Sequence, residues 1–355
     1  MRIRDRRVRA ALAVVLLGLI GVAVYFAISQ YLAKRQYDLA RAALERCDFQ
    51  EALQHLDEYL QRRPTDGAAL VLAAQAARRS GDLADADRRL RLAFDQGADA
   101  DELAVEHDLL RVQIGHLAAA ERLAAFCKKN PAGPETGLAL EALIEGGMRA
   151  FHLALAAWSV DFWLEHRFGS LDQTRGLLWR GRLYEMSEDF GQALLDFRKA
   201  AELSPEFVPA RLALAEALLR AEPRQAVSEV EWLTGHAARN PDVRFVSARL
   251  RRALGRPEEA GVALDELLTA QPKRVDALVE RGRVALDRGR AEEAEPWLRK
   301  AEKLAPEQRD VNVALADCLR LAGKLEEAKT YQDKAKEIQD RLEKALEELR
   351  KAEKK

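Results

Sequence analysis

Three stretches decide how this chain is read: GRPEEAGVALDELLTAQP (255–272), GRAEEAEPWLRKAEKLAP (289–306) and GKLEEAKTYQDKAKEIQD (323–340) align without a gap. Their glycines, Gly255, Gly289 and Gly323, stand 34 residues apart, as do Pro272 and Pro306. Each stretch carries an alanine five residues after the glycine (Ala260, Ala294, Ala328) and then a helical length that, in the first two, ends just before proline. Seven residues before each glycine lies a small residue, Ala248, Gly282 or Ala316, on another amphipathic segment. The unit is therefore a pair of helices that cross closely. Small residues let the two backbones approach, glycine makes the turn, and proline stops the second helix. A period of this length marks a repeat architecture in which each pair buries its apolar face on the next.

Carried backward, the period starts pairs near residues 33, 67, 100, 137, 174, 208, 241, 275 and 309. It divides 34–341 into units at 33–66, 67–99, 100–136, 137–173, 174–207, 208–240, 241–274, 275–308 and 309–341. The pattern is fullest at 275–308, through Leu278, Gly282, Gly289, Ala294, Leu298, Ala301 and Pro306. It is nearly as full at 174–207, through Leu177, Gly181, Tyr184, Phe190, Ala193, Phe197, Ala200 and Pro205. These positions resemble the tetratricopeptide repeat (TPR) family. The resemblance implies an all-α fold, a right-handed α-solenoid of about nine TPR-like helix pairs. It also implies a scaffold that binds protein or peptide partners in a concave groove.

Two units depart from the pattern. His107 stands where 100–136 should carry a small residue, and 137–173 is about three residues long with Ile144 at that place. Cys47 takes the position of the turn glycine in 33–66. The fourth unit also gathers Phe151, Trp158, Phe162, Trp163 and Phe168, a helically spaced stripe that suits either core packing or a partner face. After the ninth unit, 342–355 continues without a breaker as a charged capping helix. Ile338, Leu342, Ala345, Leu349 and Ala352 form its apolar seam, and the pairs Glu337 with Arg341, Asp340 with Lys344 and Glu347 with Lys351 give it a solvated face.

Composition supports the helical reading. Ala, Leu, Arg and Glu dominate, and runs of β-branched residues are nearly absent. The 57 basic and 58 acidic residues leave a net charge of −1, so no field concentrates a polyanion and no nucleic-acid partner is expected. Cys47, Cys127 and Cys318 are far apart, with no CxxC pair, and the six histidines are scattered, so neither a disulfide framework nor a metal site is expected. The chain contains no GxSxG, GxxxxGK[ST], HExxH or GxGxxG, and the repeats leave no room for a catalytic domain. No enzyme activity, cofactor or small-molecule substrate is expected.

The first residues read differently. Ala10 to Ala33 is 24 residues without a formal charge, which as a helix reaches roughly 36 Å and exceeds a hydrocarbon core of about 30 Å. That length favours a retained single-pass anchor (10–33) over a cleaved leader, whose apolar core is shorter and ends at an A-x-A-like site. Arg2, Arg4, Arg6, Arg7 and Arg9 precede the run, whereas Lys34 and Arg35 follow it. Residues 1–9 are then a basic cytoplasmic tail, and the repeats lie outside the cytoplasm of an inner membrane. Tyr25 and Tyr31 suit its far interface.

In the resembled family the first helix of each unit lines the groove. Carried over, its ninth position reads Arg41, Gln75, Arg182, Glu216, Arg249, Arg283 and Asp317, and its fifth includes Phe245 and Val279. The expected partner-binding groove is Phe245, Arg249, Arg252, Val279 and Arg283, in which arginines would hold a carboxylate against an apolar wall. Glu216, Asp287 and Asp317 are available to neutralise them. The expected role is a membrane-anchored, extracytoplasmic scaffold for envelope assembly, secretion or export. The alternative is a cytoplasm-facing regulatory module of a membrane-bound biosynthetic complex.

Overall fold

A computed structural model describes the backbone of residues 2–353, and the side chains of 16–351 apart from residue 134. The side chains of the basic tail, of Ala10 to Val15 and of Ala352 lie outside the described residues. Among the described residues the chain is entirely helical, with eighteen α-helices and no strand. In order they are α1 (Arg2–Glu45), α2 (Phe49–Arg62), α3 (Gly67–Ser80), α4 (Leu83–Asp95), α5 (Ala100–Ile114), α6 (Ala120–Lys129), α7 (Pro134–Arg149), α8 (Leu153–His166) and α9 (Ser170–Met186). There follow α10 (Phe190–Leu203), α11 (Val208–Ala221), α12 (Ala226–Ala237), α13 (Pro241–Ala253), α14 (Pro257–Ala270), α15 (Val275–Asp287), α16 (Ala291–Leu304), α17 (Arg309–Leu321) and α18 (Leu325–Glu353). A single 3₁₀ turn, Leu117–Ala119, lies between α5 and α6.

The helix ends follow from the local sequence. Asp48, Asp66, Asp82 and Asp189 each accept a hydrogen bond from a backbone N–H three residues on, at 2.9–3.1 Å, and so cap α2, α3, α4 and α10. Between paired helices the chain passes through left-handed backbone, φ +76°, +70° and +76° at Gly255, Gly289 and Gly323. Cys47, Phe151 and Glu188 hold the same conformation at φ +58°, +56° and +60° without glycine's freedom.

The chain forms two units, 1–119 and 120–355, and their boundary falls inside the stretch 100–136 that the period assigned to one helix pair. In the first unit α1 packs on α2, α2 on α3, α3 on α4 and α4 on α5. In the second the sequence α6 to α18 packs successively in the same way. Neighbour-on-neighbour packing of helix pairs is what defines an α-solenoid. Its core is built from the small and branched residues of the period. A Cβ on Gly181 would lie 2.4 Å from Phe197, and one on Gly282 2.6 Å from Leu298, so both glycines are required by the crossing itself.

The two departing units resolve differently. His107 is exposed; the buried face of α5 is formed by Glu106, Leu109, Leu110, Val112 and Gln113. Ile144 is fully buried, and close approach of α7 to α8 is supplied by Gly147, three residues on, where a Cβ would lie 3.1 Å from Ala156.

α1 is one uninterrupted helix. Every residue from Leu16 to Ile28 is exposed, including Leu17 at 68% and Phe26 at 62%, whereas Ala33, Ala40 and Ala43 are buried in the first helix pair. It is long and apolar enough to cross a membrane. α18 is also longer than its pair requires. Its Leu342, Ala345, Leu346 and Leu349 pack on Phe151, Leu153, Leu183 and Met186 from α8, α9 and the turn before α8. Of the expected ion pairs on this helix, Lys351 reaches Glu347 at 2.8 Å, but Arg341 turns to Glu307 at 3.0 Å instead of Glu337.

Candidate functional site

In the second unit the first helices of successive pairs touch directly: α9 with α11, α11 with α13, α13 with α15, and α15 with α17. Apart from α18 on α8, the second helices make no contacts of that extent with one another. The first helices thus form the more closely spaced layer, and the residues singled out from the sequence sit on it.

The structure does not leave all five open. Phe245 and Val279 are 7% and 3% exposed and belong to the core shared by α13, α14 and α15, so the apolar wall expected from their repeat position is not available at the surface. Their position faces the next pair because a first helix is covered on two flanks. Arg252 is already paired, donating from Nε to Glu280 at 2.6 Å and from Nη1 to Asp287 at 2.9 Å. Arg283 stands looser, 3.8 Å from Glu280 and 3.9 Å from Asp310. Arg249 lies 5.8 Å from the Phe245 ring centroid, and Arg274 lies 5.0 Å from the same centroid. Asp317 pairs with Arg320 at 2.8 Å and not with Arg283.

The residues that complete this layer are Arg182 and Glu216. Both stood at the ninth repeat position in the sequence, where their charges rather than their neighbours were visible. Glu216, on α11, feels Arg249 on α13 and Arg182 on α9. Among the described residues no hydrogen bond or close ion pair fixes its carboxylate. Burial pushes its pKa up, and the two arginines oppose that shift. The layer therefore presents a basic–acidic–basic row, Arg182, Glu216, Arg249, with Arg283 on the next helix.

Sequence reasoning also missed Glu280. It is 2% exposed and lies under both Arg252 and Arg283. The signal was a spacing of 28: Arg78 and Glu106 repeat it in the first unit.

The aromatic stripe divides. Trp163 is 1% exposed and meets Trp179 edge-on at 4.9 Å, with Arg175 near both rings. Trp158, Phe162 and His166 run half-buried along α8, Phe162 stacking on His166 at 4.1 Å. Phe168 is 81% exposed. Cys127 and Cys318 are buried thiols, and burial pushes Cys127 up to about 11. Among the described residues, His, Cys, Asp and Glu form no group placed to hold a metal.

Two layers of paired helices, stacked neighbour on neighbour with glycine-dependent crossings, make this a helical-repeat protein. Tetratricopeptide repeat models match residues 37–87, 245–309 and 310–341. Over these residues the chain carries tetratricopeptide repeats, and proteins built from such repeats mediate protein–protein interaction. No curated protein is a detectable relative in sequence.

Among solved structures, the chain resembles IFIT1 with m7Gppp-AAAA at 17% identity, covering 76% of this chain and 69% of that one with a TM-score of 0.54. It resembles TTC0263, a thermophilic TPR protein from Thermus thermophilus, at 22% identity over 49% of this chain and 98% of that one, with a TM-score of 0.43. Yeast Tom70 matches at 15% identity over 90% and 88%, with a TM-score of 0.41.

Proposed function

We propose that this protein is a membrane-anchored TPR scaffold that holds a peptide segment of a protein partner on the layer of first helices, outside the cytoplasm, in the assembly or export of envelope components. The observation that carries the reading is α1. Its exposed apolar stretch, Leu16 to Ile28, runs without a break into a helix whose Ala33, Ala40 and Ala43 are core residues of the first pair. In water this stretch would leave eleven largely apolar side chains exposed on all sides of one helix. A hydrocarbon layer removes that cost. Orientation is supported by the five arginines before the run.

A phosphatase reporter fused after Lys355 is expected to be active. An inactive but stable fusion would reverse the orientation and favour the cytoplasm-facing regulatory module. For the binding layer, Arg182, Arg249 and Arg283 each changed to Glu are expected to abolish capture of a partner crosslinked to the wild-type chain in membranes, without loss of helicity. Unchanged capture would remove the layer as the binding site.

A further inference from the structure

We propose that the first helix pair meets the bilayer through a basic band, Lys34, Arg35, Arg62 and Arg63, that takes the phosphates of anionic lipid headgroups. The inference rests on the anchored reading of α1. About 20 helical residues cross a core of about 30 Å, so a span whose exposed apolar run ends at Ile28 begins near Arg9 and leaves Gln30 at the headgroup boundary.

α2 returns antiparallel along α1. His55 meets Gln36 at 2.7 Å, Tyr37 and Tyr59 lie with ring centroids 5.2 Å apart, and Arg63 donates to the Gln30 side chain. The C-terminal end of α2 therefore descends to the level of Gln30, carrying Arg62 and Arg63 with it, both exposed. Lys34 and Arg35, also exposed, lie roughly 6–8 Å above Gln30 along α1, at the top of an interfacial layer about 5–7 Å deep, within reach of side chains that extend toward it. Tyr31, 67% exposed, sits inside the same layer.

The acidic groups near this band are engaged by other partners or lie higher. Glu58 accepts from Gln36 at 2.5 Å, the Asp66 carboxylate is held by the Tyr59 hydroxyl at 2.5 Å and the α3 N-terminus, and Asp38 is roughly 12 Å above Gln30. The one bond Arg62 makes here, from Nη1 to the Glu58 carbonyl at 2.9 Å, leaves its other donors open. The band is confined to the first pair, since the same edge of the next pair carries Asp95 and Asp99. Four exposed cations that enter no ion pair among the described residues, immediately above an apolar span, match a layer of phosphates and not a mixed protein surface.

The full chain in neutral detergent, titrated with phosphatidylglycerol or phosphatidylcholine and read by native mass spectrometry, tests this. A cation near an anionic surface strengthens binding roughly 5-fold, so Arg62→Gln with Arg63→Gln is expected to weaken phosphatidylglycerol binding about 25-fold and leave phosphatidylcholine unchanged. Unaltered phosphatidylglycerol binding overturns the band, and so does an equal loss of both lipids. Arg88→Gln with Arg91→Gln, exposed on α4, is expected to match wild type. A loss equal to that of the band variant would assign the effect to net charge and overturn the placement. Displacement of the lipid by inorganic phosphate would make this a free-anion site instead. The anchor is read separately: release of the wild-type chain from membranes by alkaline carbonate refutes the anchor, whereas a retained chain with an indifferent double variant refutes the band alone.

Discussion

Arg78 in the first unit and Arg252 in the second make the same clamp with different results. Each reaches a glutamate 28 residues on, Glu106 or Glu280, and a second acceptor 35 residues on, Gln113 or Asp287. Arg78 is 1% exposed, holds Glu106 through two bonds at 2.9 and 3.2 Å and Gln113 at 2.9 Å, and receives the Gln113 amide on its own carbonyl at 3.1 Å. The Arg252 side chain is 27% exposed, and Asp287 beyond it 45%. With Gln113 the charges close as one cation on one anion, and the cluster can be dry. With Asp287 a second anion enters, Arg283 is drawn in toward Glu280, and one edge of the cluster stays in water. A single acceptor, neutral or charged, thus decides whether the clamp is core or surface.

Removing the arginines should separate the two clamps most clearly. Arg78→Ala strands a buried Glu106, and a loss of about 3–5 kcal/mol is expected, read as faster hydrogen exchange across α3 and α5. Arg252→Ala leaves Glu280 near Arg283 and exposes Asp287 to water, so about 1–2 kcal/mol is expected in exchange across α13 and α15. Equal losses would break the comparison.

The turns offer a contrast in which the two units should agree. Cys47→Gly and Glu188→Gly each relieve a left-handed residue, and a gain of about 0.5–1 kcal/mol in urea unfolding of the corresponding unit is expected from both. A gain in one unit alone would show that the strain is held by different surroundings.

The smallest effect belongs to Glu216, whose carboxylate no clamp closes. Its raised pKa means that the folded state keeps the proton to higher pH than the unfolded chain. Its contribution is then full below about pH 4.3, the unfolded carboxyl value, and is lost as pH rises through the folded value. Glu216→Gln should therefore be slightly more stable than wild type at neutral pH, and the difference should vanish below about pH 4. A difference independent of pH would contradict the burial of that carboxylate.

The repeat was legible because its determinants are local. Gly282 and Leu298 fix one crossing, and the Gly255, Gly289 and Gly323 turns set the period. The apolar run was legible because its length and lack of charge are properties of consecutive residues. The binding layer was legible only as positions. With 57 basic and 58 acidic residues, nearly every arginine has a candidate carboxylate, and spacing alone does not rank them.

By itself, then, the sequence determined the period, the helical class and an apolar run able to cross a bilayer, since each depends on neighbours in the chain or on a repeated short-range pattern. The tertiary structure decided which charges are free. It buried Phe245 and Val279, closed Arg252 on Glu280, set Glu216 within the field of Arg182 and Arg249, and brought the end of α18 onto Phe151 and Leu153. These outcomes depend on distances between residues tens to nearly two hundred positions apart, which only the stacking of helices sets.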